Sequence, residues 1–143
     1  MSSDAPNSIM AFDYGLVHIG VAIGNRVTAT AQPLTTLKAR DGIPNWEQTG
    51  ELLAQWQPQL LLIGLPLNMD GSEGELCVRA RKFSRRLHGR FDIPVALVDE
   101  RLSSFDAKQR LREMGHHGDY KASPADALAA ALILETWLSE FST

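Results

Sequence analysis

Apolar and polar positions alternate or cluster along this chain in a way that sets out its elements. Ser8–Asp13, His18–Asn25 and Val27–Leu34 are short β-type runs broken by glycine or polar residues, which predicts a meander of three strands. From Asn45 to Gln57 the apolar residues Trp46, Leu52, Leu53 and Trp56 fall near helical spacing, and Pro58 supplies a stop. Leu60–Gly64 is a continuous apolar run of strand length, as expected where both faces of a strand are covered. Leu65–Gly74 is a loop. Ser72 followed by Glu75 reads as a capping box opening a helix that ends near Gly89. Pro94–Asp99 is another strand. Ser103 with Asp106 resembles a helix start before Phe105–Met114, and Gly115–Ala122 is a polar loop with His116 and His117. Ser123-Pro124-Ala125-Asp126 offers a cap, a first-turn proline and a first-turn acid ahead of an Ala-rich helix to Leu138. Strands first, then alternating helix and strand, then helices give an α/β chain: a mixed sheet with helices packed on it.

Length and composition keep this picture within one domain. The 143 residues fit a single unit, 1–143, with an ordered core roughly over 8–140, and 44% hydrophobic with 22% charged residues is ordinary for a globular fold. Cys77 has no partner for an internal disulfide, and Met1–Ser8 lacks the basic-then-apolar pattern of a secretion signal, so a soluble cytoplasmic protein is expected. The longest apolar stretch, Leu60–Leu67, is far short of the roughly 20 residues of a membrane span, and no membrane association is expected.

A net charge of −3 argues against an unspecific nucleic-acid coat, but it conceals a local bias. Arg79, Arg81, Lys82, Arg85, Arg86 and Arg90 follow one another with no acid among them. Such a run is a solvated helix face or a phosphate-binding surface.

Three acids stand out, each with an ordinary alternative. Asp13 ends an apolar strand, where a carboxylate loses solvation unless it has a partner or a metal, yet it serves equally as a turn residue. Gly15, Gly20 and Gly24 nearby would let backbone approach a phosphate. Glu100 closes Val98-Asp99-Glu100-Arg101 at a strand end, where crevices form in such sheets; a surface ion pair with Arg101 is the plainer reading. Asp126 would stabilise a helix dipole in any protein.

Whole motifs tip the balance. Phe12-Asp13-Tyr14-Gly15 with Ile19-Gly20-Val21-Ala22, Gly64-Leu65-Pro66-Leu67-Asn68-Met69-Asp70-Gly71, Asp99-Glu100-Arg101-Leu102-Ser103 and Asp126-Ala127-Leu128-Ala129-Ala130 closely resemble the YqgF family, also called RuvX, of RNase H-like nucleases, over roughly residues 9 to 138. The resemblance implies an RNase H-like fold with a five-stranded mixed sheet, and it puts the metal-binding, catalytic acids at Asp13, Glu100 and Asp126. Clustered carboxylates of this kind favour Mg²⁺ or Mn²⁺, and a two-metal phosphodiester hydrolase is the mechanism implied. Gly15, His18, Asn68, Arg81, Arg85, Arg86 and Arg101 are the expected nucleic-acid contacts. His18 departs from the basic residue usual before Ile-Gly-Val in the family, so a phosphate contact there would depend on pH. Asn68 sits in a Pro- and Gly-containing loop that would present amides to substrate or serve as a plain turn. Asp70, Asp99, His116 and His117 stay outside the expected site.

The family carries two roles, maturation of the 5′ end of the small-subunit ribosomal RNA precursor and resolution of four-way DNA junctions. The first is favoured, because a resolvase must act as a symmetric dimer and nothing here distinguishes a monomer from a homodimer. Asp-x-Gly followed by Gly-Val-Ala also resembles the phosphate hairpin of actin-like ATPases and sugar kinases, but those pair two domains and this chain is too short for that. A nucleic-acid-binding module without cleavage is the remaining alternative.

Overall fold

The computed structural model describes residues 7–68, 70–100 and 125–141. The chain starts with β1 (Ser8–Asp13), β2 (His18–Asn25), β3 (Thr30–Arg40) and the two-residue β4 (Ile43–Pro44). Helix α1 (Trp46–Trp56), β5 (Leu60–Leu65), α2 (Glu75–Phe91), β6 (Val95–Asp99) and α3 (Ala125–Phe141) complete the described elements. The sheet order is β4-β3-β2-β1-β5-β6. β1, β2, β3 and β4 pair antiparallel, whereas β1–β5 and β5–β6 are parallel. The expected mixed sheet with packed helices is therefore present, with six strands rather than five.

The sixth strand exists because the chain reverses tightly at Asp41-Gly42. Both residues have positive φ, 51° and 80°, as a two-residue type I′ hairpin requires. That turn lays Ile43 and Pro44 against Arg40 and Ala39. β3 itself begins later than Val27 and runs further than Leu34. Asn25 is the reason: its side-chain oxygen accepts from the backbone N–H groups of Val27 (2.8 Å) and Thr28 (3.3 Å), and Ala29 takes φ 53°. The apolar Val27 is thereby spent in a turn, 71% exposed.

α1 matches its sequence signals. Asn45 caps it by accepting from Gln48 N–H at 3.0 Å, and Gln57 closes it in the left-handed region just before Pro58. The capping box expected at α2 does not form. Gly74 is the N-cap and makes no side-chain cap. The helix starts two residues too late for Ser72 to be its N-cap, and the Ser72 hydroxyl instead donates to Asp70 Oδ1 at 2.6 Å and accepts from the Asn68 amide at 3.0 Å. α2 ends at Phe91 rather than Gly89, with Asp92 in the left-handed C-cap. The helix expected at Phe105–Met114 and the loop Gly115–Ala122, with His116 and His117, lie outside the described residues.

Strand alternation sends side chains to two cores. Met10, Phe12 and Tyr14 of β1 join Ile19, Val21, Leu37, Leu53, Leu61, Ile63 and the inner face of α2. Phe83 of α2 packs edge-on to Phe12 at 5.8 Å, against Tyr14 at 5.1 Å and stacked with Trp46 at 6.1 Å. Ile9 and Ala11 face the other way, with Ala22, Leu62, Val98 and the α3 residues Ala130, Ala131, Ile133 and Leu134. α1 and α2 thus cover one face of the sheet and α3 the other. Glycine sets how closely α3 approaches. A Cβ at Gly20 would overlap the backbone carbonyl of Asp126, and one at Gly24 would meet the Leu134 side chain at 2.6 Å. These two glycines serve helix packing, not the phosphate approach their position suggested.

Candidate active site

The parallel pairing of β1, β5 and β6 brings the carboxyl ends of all three strands to one end of the sheet. Asp13 is the last residue of β1 and Glu100 follows β6 directly. Alternation puts Asp13, after Ile9 and Ala11, and Glu100, after Val98, on the α3 face. Asp126 lies in the first turn of α3, which Gly20 admits onto β2 beside its register partner Asp13. Residues far apart in the chain are thus gathered by the sheet and one helix end.

Asp13 and Glu100 hydrogen-bond to each other through their carboxyls. Burial holds Asp13 above the usual carboxylate range; its bond to Glu100 works against that, and the charge of Asp126 adds to it. Burial pushes Glu100 up to about 8, with the hydrogen bond to Asp13 and the charges of Asp13 and Asp99 acting in the same sense. The pair therefore holds a proton at neutral pH that two free carboxyls would have lost. Its side chain is fitted over Gly64, where a Cβ would come within 2.6 Å of Glu100 Oε1 and 2.5 Å of Ile133 Cδ1. Asp126 acts on Asp13 by charge, and the three acids do not close on one common point; among the described residues no group of three His, Cys, Asp or Glu side chains does so.

In donor chemistry, though not in convergence, the three acids suit a divalent cation. The donors are all hard carboxylate oxygens, and the proton between Asp13 and Glu100 does what a cation would do, neutralising charge crowded in a half-buried site.

The expected nucleic-acid contacts divide. Gly15 lies in the β1–β2 turn, where a Cβ would overlap the carbonyl of His18. His18 is exposed at the start of β2 and pairs across the strands with Lys38, at the same end and on the same face as Asp13. Asn68 is exposed in the loop after β5, but its amide donates to Ser72 Oγ at 3.0 Å, so one of its donors is already committed to the loop. Arg81 forks onto Glu73 with two bonds of 2.8 Å. Arg85 and Arg86 are exposed and make no ion pair among the described residues. All three arginines sit on α2, across the sheet from the acids. Arg101 lies outside the described residues.

Residues missed from sequence are the cations and aromatics around Asp41-Gly42. Arg79 binds Asp41 at 2.7 Å, Arg90 lies 4.3 Å from the Trp46 ring centroid, and the Tyr14 hydroxyl donates to the Gly42 carbonyl at 3.1 Å. The Asp-Gly pair was the available signal, since it marks a hairpin that would carry its neighbours to the end of β1.

Comparison with known proteins agrees with this architecture. Two solved structures share the fold: RuvC of T. thermophilus in complex with a Holliday junction substrate (TM-score 0.60, 15% identity, 95% of this chain and 97% of that one) and the Fowlpox virus resolvase in complex with Holliday junction DNA (TM-score 0.58, 14% identity, 95% and 99%). The RNase H-like fold is thereby established. At the level of sequence, proteins named "Putative pre-16S rRNA nuclease" are much nearer. That of Aeromonas hydrophila is 56% identical over 133 residues, covering 93% of this chain and 95% of its own, and that of Sodalis glossinidius is 54% identical over 137 residues, covering 96% and 97%. A family model described as RuvX, Holliday junction resolvase, matches residues 7–140. The chain belongs to the RuvX family.

Proposed function

We propose that this protein is a nuclease that hydrolyses phosphodiester bonds of nucleic acid at the Asp13–Glu100–Asp126 cluster, with precursor of the small-subunit ribosomal RNA as substrate. The observation that carries the reading is the proton-sharing pair Asp13–Glu100 beside Asp126, at the strand ends where an RNase H-like fold opens its crevice. The ribosomal substrate is supported by the names of relatives that cover nearly the whole chain. The family description favours a second reading, cleavage of four-way DNA junctions.

Asp13, Glu100 and Asp126 would hold Mg²⁺ or Mn²⁺, which supplies an activated water and charge stabilisation for the departing oxygen. The chain's own groups have defined tasks around that chemistry. Glu100 must give up its proton before its oxygens can serve as ligands. Gly64 leaves the space that the Glu100 side chain occupies, and Gly20 lets Asp126 stand close to Asp13. His18 and Lys38 place donors for phosphate at the rim of the same face.

Cleavage of end-labelled ribosomal RNA precursor and of a four-way DNA junction, run side by side with Mg²⁺ or Mn²⁺, tests both readings. Wild type is expected to cut the precursor. Asp13→Asn is expected to lose more than the roughly 10–100-fold typical of groups that merely support a ligand. Full cleavage by Asp13→Asn sinks the proposed site, and cutting of the junction alone transfers the function to the second reading.

A further inference from the structure

Thr36 of β3 stands in the row of positions that crosses the sheet through the candidate site, yet none of the groups assigned above involves it. Its hydroxyl oxygen is buried and makes no hydrogen bond among the described residues. A hydroxyl taken out of water without a partner destabilises a fold. Valine has the same shape, suits a strand as well and carries no such penalty.

Strand register fixes where that hydroxyl lies. Thr36 is the cross-strand partner of Gly20, and Gly20 is the partner of Asp13. Partners in a sheet share a face, so Asp13, the Cβ position of Gly20 and Thr36 form one line beneath α3. A Cβ at Gly20 would overlap the Asp126 carbonyl, so Asp126 stands over the gap between Asp13 and Thr36. Cross-strand Cβ positions are about 4.5–5.5 Å apart, which leaves the Asp126 main chain about that far from the Thr36 side chain, within reach of a carboxylate arm. His18 and Lys38, the next pair on this face towards the strand ends, are exposed to water. Thr36 is a buried donor on the side of Asp126 away from Asp13.

Asp126 has a use for such a donor. It acts on Asp13 through charge, but the three acids do not meet at one point. To share a cation with Asp13 and Glu100, its carboxylate must turn one oxygen towards them, and the other then needs a hydrogen bond to hold that orientation.

We propose that Thr36 is a positioning residue for Asp126: once Asp126 turns one carboxylate oxygen towards Asp13 to share a cation, the Thr36 hydroxyl donates to the other and fixes the side chain there. The proposal rests on the reading of Asp126 as a metal ligand. It accounts for a buried donor that stays unpartnered while the acids stand apart.

The test compares, in the full chain, Thr36→Val, which keeps the shape and removes the hydroxyl, with Thr36→Ser, which keeps the hydroxyl. Mn²⁺ affinity by calorimetric titration should weaken about tenfold or more in Thr36→Val, the usual loss when a group supporting a ligand is removed, and stay close to wild type in Thr36→Ser. Melts in EDTA should not follow. There Thr36→Val should be as stable as wild type or more so, since the hydroxyl it lacks has no partner in the metal-free protein. A merely structural threonine would instead show lost stability in EDTA and unaltered Mn²⁺ affinity. A double-mutant cycle locates the effect: in the Asp126→Asn background, Thr36→Val should weaken Mn²⁺ binding no further. Unchanged Mn²⁺ affinity in Thr36→Val, a lower melting temperature in EDTA, or an equal loss in both backgrounds overturns the role of Thr36 while leaving Asp126 as a ligand. If Asp126→Asn itself binds Mn²⁺ like wild type, the reading of Asp126 fails and the role of Thr36 falls with it.

Discussion

Glu100 shows how a single residue can link acidity, stability and metal binding. Its folded-state value near 8 lies above the ordinary 4.5, so the folded protein binds this proton more tightly than the unfolded chain does. Stability tied to the proton is complete below about pH 4.5 and is lost as pH rises to about 8; the upward shift of Asp13 acts in the same direction. Melts in EDTA should therefore show the wild type losing stability between pH 5 and 8 relative to Glu100→Gln, and an equal pH dependence of the two proteins would contradict the shared proton. Metal affinity should climb through the same interval, because the ion competes with that proton. Gly20 is the second decisive position. Gly20→Ala drives a methyl into the carbonyl of Asp126, and the helix end must move away. We expect a loss of about 1–3 kcal/mol, typical of overpacking, together with a drop in cleavage larger than that of an equally destabilising substitution remote from the site. Circular dichroism melts and rate measurements on both variants make the comparison.

Elements were legible in the sequence wherever local signals stood alone. Asn45 and Pro58 bracket α1 in the chain as they do in the structure, and Asn45→Ala should cost about 1 kcal/mol in a melt, leaving cleavage unchanged. Reading failed where a side chain bonds within its own loop or turn. Ser72 and Glu75 have the spacing of a cap, but Asp70 takes the hydroxyl, and Asn25 turns the chain through Val27 although the apolar pattern continues. The acids Asp13, Glu100 and Asp126 could be picked out as strand-end and helix-start carboxylates, and the family resemblance grouped them. What chain order could not convey was Gly20 beneath Asp126 or Gly64 beneath Glu100, since a glycine's reason lies in its partner across the sheet. The basic run likewise looked uniform. Only in three dimensions does it separate into Arg79 and Arg81, committed to Asp41 and Glu73, and Lys82, Arg85 and Arg86, which make no ion pair among the described residues.

At the scale of the molecule, the site is a joint between the sheet and α3, so a cation there should brace the whole fold. Adding Mn²⁺ at about a hundred times its dissociation constant should stabilise wild type by roughly 2.7 kcal/mol, the mass-action gain for a ligand bound only by the native state. Asp126→Asn should gain much less, even though removal of one crowded negative charge leaves its metal-free stability equal or higher. A full metal shift in Asp126→Asn would reduce that residue to a helix-start acid.

The seat of α3 also has a consequence in time. Ribosomes extend the chain from its amino end, and Asp126 with the buried Ala127, Ala130, Ala131 and Leu134 emerges only after every described strand of the sheet. Until then Ile9, Ala11, Ala22 and Leu62 have no cover and the third carboxylate is missing. On the proposed site, a growing chain gains cutting power towards RNA only once α3 has emerged and taken its seat on the sheet. Release of chains arrested at residue 120 should yield an aggregation-prone, inactive product, recovered by supplying residues 121–143 in trans.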